Sequence, residues 1–437
     1  MPLMLSSVNV ALPSIAASMH SDAILLTWVS TAYLLTSAVF LLPFGKLADI
    51  LGRKKIYLTG MAVTTLASLL AASSQTIFFL IACRVLQGLG AAMLFSTGVA
   101  ILTTVFPPER RGRAIGMSTS AIYFGLTCGP LFGGWLTQHF SWRSVFVVHI
   151  PIALMVIALA HAKLHIEMPV RNDQKFDFIG ALLYAATITS LMFGLSLLPS
   201  PDSIFILSLS AAGLISFIRY ESKINNPMLA VGIFSNNRVL SFSCLSSLIL
   251  YSSTFGLTFL MSLYLQNIKG LEPQTAGLIM MSQPLVMAIF SPFTGRLSDR
   301  IEPRYLTAAG MCMISFGLGL LSQLQNDTSL SYILVSLLVI GLGFALFSSP
   351  NSNAIMGSVD KKHLGVAASS LSTTRVLGQM FSMAVVTLAF ALMMGAAPLS
   401  PEYYPSLLQS IRLSLFTAAC LSFAGIYLSM ARGNVRE

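Results

Sequence analysis

Long apolar segments constrain this chain more than any other feature of its sequence. A helix needs about 20 apolar residues to cross the hydrocarbon core of a bilayer. Thirteen segments of suitable length lie at roughly 27–48, 55–73, 76–104, 113–135, 143–161, 178–198, 203–219, 239–265, 274–295, 304–323, 330–350, 365–394 and 407–430. A shorter stretch, Pro2 to Ala17, has neither the basic start nor the cleavage site of a signal peptide. We expect it to be a first helix that lacks its start, with the natural chain beginning upstream, which makes fourteen spans.

The composition excludes the water-soluble classes of protein. Hydrophobic residues make up 55% of the chain and charged residues only 9%, whereas a typical soluble domain has about 25% charged residues. The mean hydropathy of +0.80 leaves too little polar surface for a soluble enzyme, a disordered protein or a nucleic-acid binder. The five cysteines are single and form no CxxC or Cys/His group, so we expect no disulfide framework, metal site or cofactor.

The basic residues predict how the helices are oriented. Of the 25 Lys and Arg, 20 fall in alternate connections and in the tail. Lys and Arg accumulate on the cytoplasmic side of membrane proteins, so we expect this side, which we call the basic side, to be cytoplasmic together with both termini. The 20 residues are Lys46, Arg53, Lys54, Lys55, Arg110, Arg111, Arg113, Lys163, Arg171, Lys175, Arg219, Lys223, Arg238, Arg296, Arg300, Arg304, Lys361, Lys362, Arg432 and Arg436.

Two motifs at helix ends repeat along the chain. GKLADILGRKK, from Gly45 to Lys55, and GRLSDRIEPR, from Gly295 to Arg304, share Gly, Leu and Asp at the same spacing, 250 residues apart. A weaker echo at an offset of 253 aligns Gly112, Ala114 and Gly125 with Gly365, Ala367 and Gly378. One basic loop can resemble another by chance, but two parallel six-helix halves separated by two further helices account for both offsets. The expected boundaries are residues 1–161, 162–238 and 239–437.

These motifs resemble those of the major facilitator superfamily, specifically its fourteen-helix drug:proton antiporter branch of the EmrB/QacA type. The resemblance covers essentially the whole chain. It implies an all-α membrane protein in which two six-helix bundles flank two central extra helices, and a multidrug efflux antiporter of the bacterial inner membrane. The further motifs that carry it are NVALPSIA (Asn9–Ala16), RVLQGLGAA (Arg84–Ala92), CGPLFGGWL (Cys128–Leu136) and SWRSVFVVHIP (Ser141–Pro151).

The first repeated loop places a carboxylate beside basic residues. Asp49 ends the second helix just before Arg53, where it can pair with basic groups or with a neighbouring helix N-terminus. The resemblance implies a conformational latch between the halves. Its candidate residues are Gly45, Asp49, Gly52, Arg53, Gly295 and Asp299. A solvated charge that only sets topology is the alternative, and it suits Lys54 and Lys55 better. The second copy has Glu302-Pro303 where the first has Gly52-Arg53, which predicts a weaker latch.

Two arginines fall inside apolar segments. Arg84 lies about eight residues into its segment, where an ionisable group costs at least a few kcal/mol unless it is paired or hydrated. The resemblance implies that Arg84 lies in the transport pathway, with Gln87 on the same helix face. The alternative is a side chain that reaches the interface along its apolar stem. Arg375, with Gln379 four residues on, poses the same question, and here both interpretations are equally supported.

The fifth apolar segment is rich in glycine. Glycines four residues apart make a flat face for close helix packing, and a proline bends the helix. The resemblance identifies this pattern as an antiporter-type helix, although glycine-rich helices also occur in membrane proteins that are not antiporters. The candidate residues are Gly125, Gly129, Pro130 and Gly133.

The acidic residues depart from the pattern of the resembled branch. None of the 15 lies in the middle of a predicted span. Many relatives carry a carboxylate at the place that Met4 occupies here. A buried carboxylate can hold either a proton or a cationic drug, so we expect a neutral or anionic substrate rather than a cation. Proton coupling would need an unusual group, for which His149 and Asp22 are candidates. A lone helical His is more commonly a hydrogen-bonded packing residue.

The leading hypothesis is therefore a secondary transporter, not an enzyme, that exports small amphipathic compounds such as drugs or metabolites by alternating access. Its expected partners are the small-molecule substrate, the lipid bilayer and protons, with no nucleic acid, and the sequence does not reveal whether a periplasmic adaptor binds. Solute uptake or proton-independent exchange by the same fold is the alternative. A membrane enzyme or sensor is disfavoured, because the chain has no Ser/His/Asp constellation, HExxH motif or phosphate loop.

Overall fold

The computed structural model describes residues 1–106, 108–164, 176–224, 227–229, 231–360, 364–395 and 397–433. Thirteen of its helical segments are long and apolar enough to cross a membrane, and Pro108–His139, 32 residues long, is a fourteenth. In chain order they are α1 (Pro2–Met19), α2 (Ala23–Leu51), α3 (Arg53–Ala72), α4 (Ile77–Val105), α5 (Pro108–His139), α6 (Ser144–Lys163), α7 (Phe178–Ser196), α8 (Asp202–Glu221), α9 (Arg238–Ile268), α10 (Pro273–Leu297), α11 (Pro303–Leu321), α12 (Leu330–Gly357), α13 (Leu364–Met393) and α14 (Pro401–Ala431).

Each predicted apolar segment corresponds to one of these helices, so the predicted all-α membrane fold is confirmed. Several helices extend past the apolar segment that predicted them. The clearest case is α12, which continues through Pro350 and Asn351 to Gly357. A helix satisfies its own backbone hydrogen bonds, and it therefore need not end where the lipid-compatible side chains end.

Short polar residues begin several of the helices. Asp22, Asp177 and Asn237 accept a backbone hydrogen bond at the starts of α2, α7 and α9, at 2.7, 2.9 and 2.9 Å respectively. Such caps satisfy amide groups that have no partner within the helix. Between α2 and α3, Gly52 has φ 98, a conformation that side chains rarely adopt, and it allows α3 to begin directly where α2 ends.

The helix packing repeats with an offset of eight helices. The pairs α1–α5, α2–α4, α3–α4 and α3–α6 recur as α9–α13, α10–α12, α11–α12 and α11–α14. We call α1–α6 the N-terminal bundle and α9–α14 the C-terminal bundle. The repeated loops predicted two six-helix bundles and an extra helix pair. The repeated packing confirms this fold.

A glycine contact shows the same repeat in detail. A Cβ at Gly60 would lie 3.0 Å from the Gly90 carbonyl oxygen, between α3 and α4. A Cβ at Gly310 would lie 2.5 Å from the Gly343 carbonyl oxygen, between α11 and α12. Gly60 and Gly310 are 250 residues apart, and Gly90 and Gly343 are 253 residues apart. These are the offsets of the two sequence repeats. Close backbone approach is therefore conserved between the two copies of the packing.

The two bundles meet along α5–α10, α2–α13 and α1–α9. At the α5–α10 seam, a Cβ at Gly134 would overlap the Pro273 carbonyl oxygen and lie 3.0 Å from the Gln274 Cα. A Cβ at Gly277 would likewise overlap the Pro130 carbonyl oxygen. The seam therefore joins backbone to backbone, which only small residues allow.

The extra helices α7 and α8 pack against each other as a hairpin. Of these two helices, only α7 makes extensive contact with α2 and α13. The Tyr184 hydroxyl, buried in this contact, donates a hydrogen bond of 3.0 Å to the Ala38 carbonyl oxygen of α2. The hairpin thus lies beside one seam between the bundles rather than between them.

Hydrogen bonds between the bundles concentrate on the side opposite the basic side. Gln138 of α5 donates to the Glu272 carboxylate before α10 at 2.7 Å, and the Thr27 and Thr387 hydroxyls of α2 and α13 are 2.9 Å apart. The Gln266 amide of α9 donates to the Val10 carbonyl of α1 at 2.8 Å. The bundles are therefore closed against each other on this opposite side.

We predict that Gly134→Ala destabilises the protein and reduces transport, because the added Cβ must push α10 away from α5. Overpacking of this kind costs about 1–3 kcal/mol. The melting temperature of the purified protein in detergent and its transport rate in proteoliposomes measure the two effects. Gly98→Ala is the matched control, since a Cβ at this helical glycine meets nothing within 4 Å. Equal behaviour of both variants would contradict the backbone contact at the seam.

Candidate functional site

Arg84 lies in a polar network that is buried inside the N-terminal bundle. Its side chain is 0% exposed. The Nε atom donates to the Val29 carbonyl oxygen at 2.8 Å, and Nη1 donates to the Gln87 side-chain oxygen at 2.7 Å. The guanidinium lies 4.5 Å from the centre of the Tyr33 ring. Within the described ranges, Nη2 has no hydrogen-bond partner. The guanidinium is therefore held in place through Nε and Nη1, while its third nitrogen, Nη2, is unpartnered among the described residues.

The network continues from Gln87 towards α1 and α3. The Gln87 amide donates to the Ser68 hydroxyl at 3.0 Å and contacts the Met4 sulfur at 3.7 Å. Met4 occupies the position at which the resemblance implies a carboxylate in many members of the branch, and here its thioether lies beside Gln87. Among the residues that the structure describes, no carboxylate contacts Arg84. Its positive charge is balanced only by dipoles and by the face of Tyr33.

Arg375 lies in different surroundings, at the seam between the bundles. Its Nη2 atom donates a long hydrogen bond of 3.4 Å to the Ser352 hydroxyl, and its guanidinium is 5.7 Å from the centre of the Tyr251 ring. Tyr251 packs edge-on against Phe344, with ring centres 5.6 Å apart. Unlike Arg84, Arg375 is partly exposed, and so is Gln379 one turn further along α13. Arg375 is therefore less enclosed than Arg84.

A single hydrogen bond connects the bundles beside Arg375. The Tyr123 hydroxyl of α5 and the Ser348 hydroxyl of α12 are 2.7 Å apart. We call Tyr123, Tyr251, Phe344, Ser348 and Arg375 the arginine–aromatic cluster. It joins Tyr123 of the N-terminal bundle to two aromatic rings, a hydroxyl and a guanidinium of the C-terminal bundle. Sequence reasoning missed Tyr123, Tyr251 and Ser348, since nothing in the spacing of single polar residues indicates that three helices bring them together.

His149 lies in α6, where the helix is interrupted between Ser144–Val147 and His149–Lys163. The side chain is buried, with 7% of its surface exposed. In the part of the chain that is described, its Nε2 atom has no hydrogen-bond partner. The other coupling candidate, Asp22, uses its carboxylate to cap α2 on the opposite side.

The Asp49 turn is fastened to its own bundle. Asp49 accepts two hydrogen bonds from Arg53, at 2.9 and 3.1 Å. The remaining Arg53 nitrogen, Nη1, donates to the Ala100 carbonyl at 3.1 Å and to the Thr104 hydroxyl at 3.0 Å, both near the end of α4. Gly45 lies against the same helix, since its Cβ position is 3.9 Å from the Ser96 Cβ. In this conformation the turn joins α2, α3 and α4.

The second copy of the turn is held by an amide instead of an ion pair. Asn353 of α12 donates to the Ser298 hydroxyl at 2.7 Å. Gly295 packs closely on α12, where its Cβ position lies 2.7 Å from the Ser349 hydroxyl oxygen. Asp299 is exposed and has no hydrogen-bonded or ionic partner among the described residues. The turns are equivalent in position but not in chemistry.

The glycine-rich helix α5 has two packing faces. Gly125, Gly129 and Gly133 face α1, and a Cβ at Gly129 or Gly133 would come within 2.6 Å of Ser6 or Ser7. The Ser7 hydroxyl also donates to the Gly129 carbonyl at 2.8 Å. Pro130 and Gly134 face α10 on the other bundle. The sequence predicted that α5 has a close-packing face, but it did not predict the second face, towards α10. The glycine of α10 that contacts this second face is Gly277.

Arg432, one of the basic residues used to assign the cytoplasmic side, is not a surface charge. Its side chain is fully buried after the end of α14. Its Nη1 atom donates to the Asn351 side-chain oxygen at 3.0 Å and to the Ser243 hydroxyl at 3.3 Å. Burial lowers the pKa of its guanidinium to about 10, which still leaves it charged near neutral pH. Arg432 thus ties α14 to α9 and α12.

The described residues contain no group of three or more His, Cys, Asp or Glu that could hold a metal ion. All five cysteines are unpaired, and two of them, Cys83 and Cys244, are buried.

Comparison with known proteins places this chain among transporters. The sequence model of the Major Facilitator Superfamily matches residues 1–383. The riboflavin transporter RibZ of Clostridioides difficile is 29% identical over 431 residues, which are 97% of this chain and 93% of that protein. The multidrug resistance protein Stp of Mycobacterium tuberculosis is 32% identical over 385 residues, 87% of this chain and 71% of that protein.

Solved structures share the fold. The human organic anion transporter MFSD10 aligns with a TM-score of 0.63 at 16% identity, covering 98% of this chain and 97% of that chain. A peptide transporter POT aligns with a TM-score of 0.68 at 12% identity, covering 97% of this chain and 92% of that chain. Identities this low show a common fold and nothing more. The family match and the paired six-helix bundles agree, and the chain belongs to the Major Facilitator Superfamily of membrane transporters.

Proposed function

We propose that this protein exports small amphipathic compounds, drugs or metabolites, across the bacterial cytoplasmic membrane. The observation that carries the proposal is the pair of equivalent bundles, fastened to each other on the side opposite the basic side. The hairpin α7–α8 supports assignment to the fourteen-helix drug:proton antiporter branch. Names of relatives support export: besides Stp, the tetracenomycin C resistance and export protein of Streptomyces glaucescens is 26% identical over 393 residues.

In the proposed mechanism the bundles, residues 1–161 and 239–437, rock against each other around a central substrate path, and residues 162–238 connect them. The α5–α10 seam suits such movement, because its backbone surfaces at Gly134 and Gly277 have no interlocking side chains. The state described here is closed on the opposite side, so it receives substrate from the basic side, which we assign to the cytoplasm together with both termini. Opening of the Gln138–Glu272 and Thr27–Thr387 contacts then releases the substrate outside.

We assign the repeated turns the role of a latch that holds the bundles together when the basic side is closed. Because α2 packs along α13 and α10 packs along α5, Asp49 at the end of α2 faces the start of α13 when the bundles approach. Asp299 at the end of α10 faces the start of α5 in the same way. Helix N-termini attract carboxylates. Gly45, Gly52 and Gly295 shape the turns, and Arg53 holds Asp49 in position while the bundles are apart.

The arginine–aromatic cluster is the proposed substrate site. Arg375 can bind an anionic or hydrogen-bond-accepting group, while Tyr251 and Phe344 offer ring faces to an apolar one. A compound bound here contacts Tyr123 of one bundle and Arg375 of the other. Its binding can therefore affect the position of both bundles. Neutral and anionic compounds are favoured, since neither arginine of the transport pathway has a carboxylate partner in the described ranges. Gln87 and Gln379 extend the two polar patches along the pathway.

The proposal assigns proton coupling to His149. His149 is buried and has an unpartnered ring nitrogen among the described residues, which suits a group that takes up and releases a proton. Solute uptake or proton-independent exchange is the second candidate function. It is favoured by the absence of any carboxylate against Arg84 in the described part of the chain.

Two measurements separate these functions. Purified protein in proteoliposomes with an imposed pH gradient is tested with anionic, neutral and cationic compounds, and gradient-driven movement of an anionic or neutral compound supports the proposal. Growth of a deletion strain across inhibitors gives the direction: sensitisation supports export, whereas a new nutrient requirement supports uptake. Transport without any response to the gradient would sustain the exchange alternative.

We predict that Arg375→Gln lowers transport of anionic compounds by about tenfold or more, corresponding to ~1.4 kcal/mol of lost binding, and changes transport of neutral ones much less. The lost term is the attraction between the guanidinium and the substrate's negative charge. Initial rates in proteoliposomes measure it. The control is Arg412→Gln, which removes an exposed arginine whose side chain caps the end of α11 through the Ser322 carbonyl. A uniform loss across both substrate classes would contradict a substrate-binding role.

We predict that Met4→Glu shifts selectivity towards cationic compounds. The new carboxylate lies beside Gln87, in the network that holds Arg84, and it compensates the positive charge that otherwise repels cations. The ratio of cationic to anionic transport rates is the readout. Met4→Gln has the same size without the charge and is expected to leave this ratio unchanged. If both variants shift the ratio equally, charge at this position does not set selectivity.

A further inference from the structure

Two carboxylates meet at the basic-side end of the α7–α8 hairpin, away from the proposed substrate site. Asp177 precedes α7, and Glu221 is the last residue of α8. Both lie on the side of the basic connections. The structure buries Glu221, which is 2% exposed. A buried carboxylate needs compensation by a proton, a cation or hydrogen bonds.

One oxygen of each carboxylate is fully occupied. Asp177 Oδ1 accepts from the Gly180 backbone amide at 2.9 Å and from the Tyr220 hydroxyl at 3.1 Å. Glu221 Oε2 accepts from the Leu229 backbone amide at 3.0 Å. The first set of bonds joins the two helices of the hairpin. The second ties the hairpin to the segment that leads towards the C-terminal bundle.

The other two oxygens both lie close to the Cβ position of Gly180. Asp177 Oδ2 and Glu221 Oε1 are both buried, and neither has a hydrogen-bond partner among the described residues. Both converge on Gly180: a Cβ there would lie 2.7 Å from Glu221 Oε1 and would overlap Asp177 Oδ2. Only glycine leaves room for the two carboxylates at this position. The arrangement presents two acceptors and, between them, no donor from the described part of the chain.

Electrostatics favour one shared proton in this gap. Two negative charges so close together in a buried site repel each other, and a proton placed between them removes one charge and supplies a donor to both oxygens. The charged groups that act on Glu221 are Asp177 and Lys46 of α2. One lysine balances one remaining negative charge, and Tyr220 adds a hydroxyl on the Asp177 side. The protonated pair is therefore close to neutral as a unit.

We propose that Asp177 and Glu221 bind one proton between Oδ2 and Oε1, and that this proton holds the end of the α7–α8 hairpin in place. Loss of the proton drives the carboxylates apart and weakens the bond from Glu221 to the Leu229 amide. Because α7 packs on both α2 and α13, release of the hairpin end alters the seam along which the bundles move. The site makes that seam responsive to pH on the basic side, whichever solute is carried.

The test is the melting temperature of the purified full-length protein in detergent, measured from about pH 5 to about pH 9. The bound proton stabilises the folded state, so wild-type stability is present at low pH and falls as rising pH removes the proton. Glu221→Gln provides an amide that donates permanently to Asp177 Oδ2 while its oxygen still accepts from Leu229. Its melting temperature should lack the alkaline fall seen in the wild type. Asp202→Asn, at the other end of α8, is the control and should retain that fall.

Further variants keep the test decisive if Glu221→Gln does not fold. Asp177→Asn preserves the cap on Gly180 and should remove the alkaline fall in the same way, whereas Gly180→Ala should separate the carboxylates and lower the melting temperature at acidic pH. The readout uses no substrate, so it stands or falls separately from the export proposal. Identical pH profiles for the wild type and both amide variants would overturn the shared proton. A stabilisation of the wild type by Na⁺ over choline at fixed alkaline pH would overturn it in favour of a metal cation.

Discussion

The backbone contact between α5 and α10 is the interaction on which the rest of this structure depends. Lipid does not drive apolar helices together as water does, so close packing of small residues must supply the attraction between them. Gly134 and Gly277 bring each helix against a carbonyl of the other, at Pro273 and Pro130. On its other face, α5 packs through Gly125, Gly129 and Gly133 on α1. One helix therefore connects the core of its own bundle to the partner bundle.

The architecture could be predicted from the sequence because its signals are local. Apolar length identifies the helices, alternating basic loops indicate their direction, and the Gly45–Lys55 and Gly295–Arg304 motifs reveal the repeat. The glycine pairs Gly60–Gly90 and Gly310–Gly343 carry the same offsets. They could have been found by comparing the halves position by position, since a lone glycine in an apolar helix commonly marks a close approach.

The candidate site was harder to predict because it depends on which helices face each other. The sequence identifies Arg84 and Arg375 as candidates because both are charges in apolar segments. Their different surroundings become clear only from the helix packing. Arg84 is fully buried between α2 and α4 of one bundle, whereas Arg375 is partly exposed near the Tyr123–Ser348 contact between the bundles. Glu221 lies at a helix end outside the apolar segments, and the fold buries it. Burial of a helix end depends on the neighbouring segment, in this case Met228 and Leu229, and no periodicity reports that.

The most direct test of rocking bundles is a pair of distances measured by double electron–electron resonance in proteoliposomes. Spin labels are placed at Phe140→Cys and Thr275→Cys, exposed neighbours of Gln138 and Glu272 on the opposite side, and separately at Leu51→Cys and Ile301→Cys on the basic side, after replacement of the five native cysteines. Without substrate, the opposite-side pair should be close, since Gln138 and Glu272 are hydrogen bonded at 2.7 Å. Under transport conditions, a population should emerge in which this distance lengthens while the basic-side distance shortens. Distances that stay fixed, or that change in the same direction on both sides, would contradict alternating access by these two bundles.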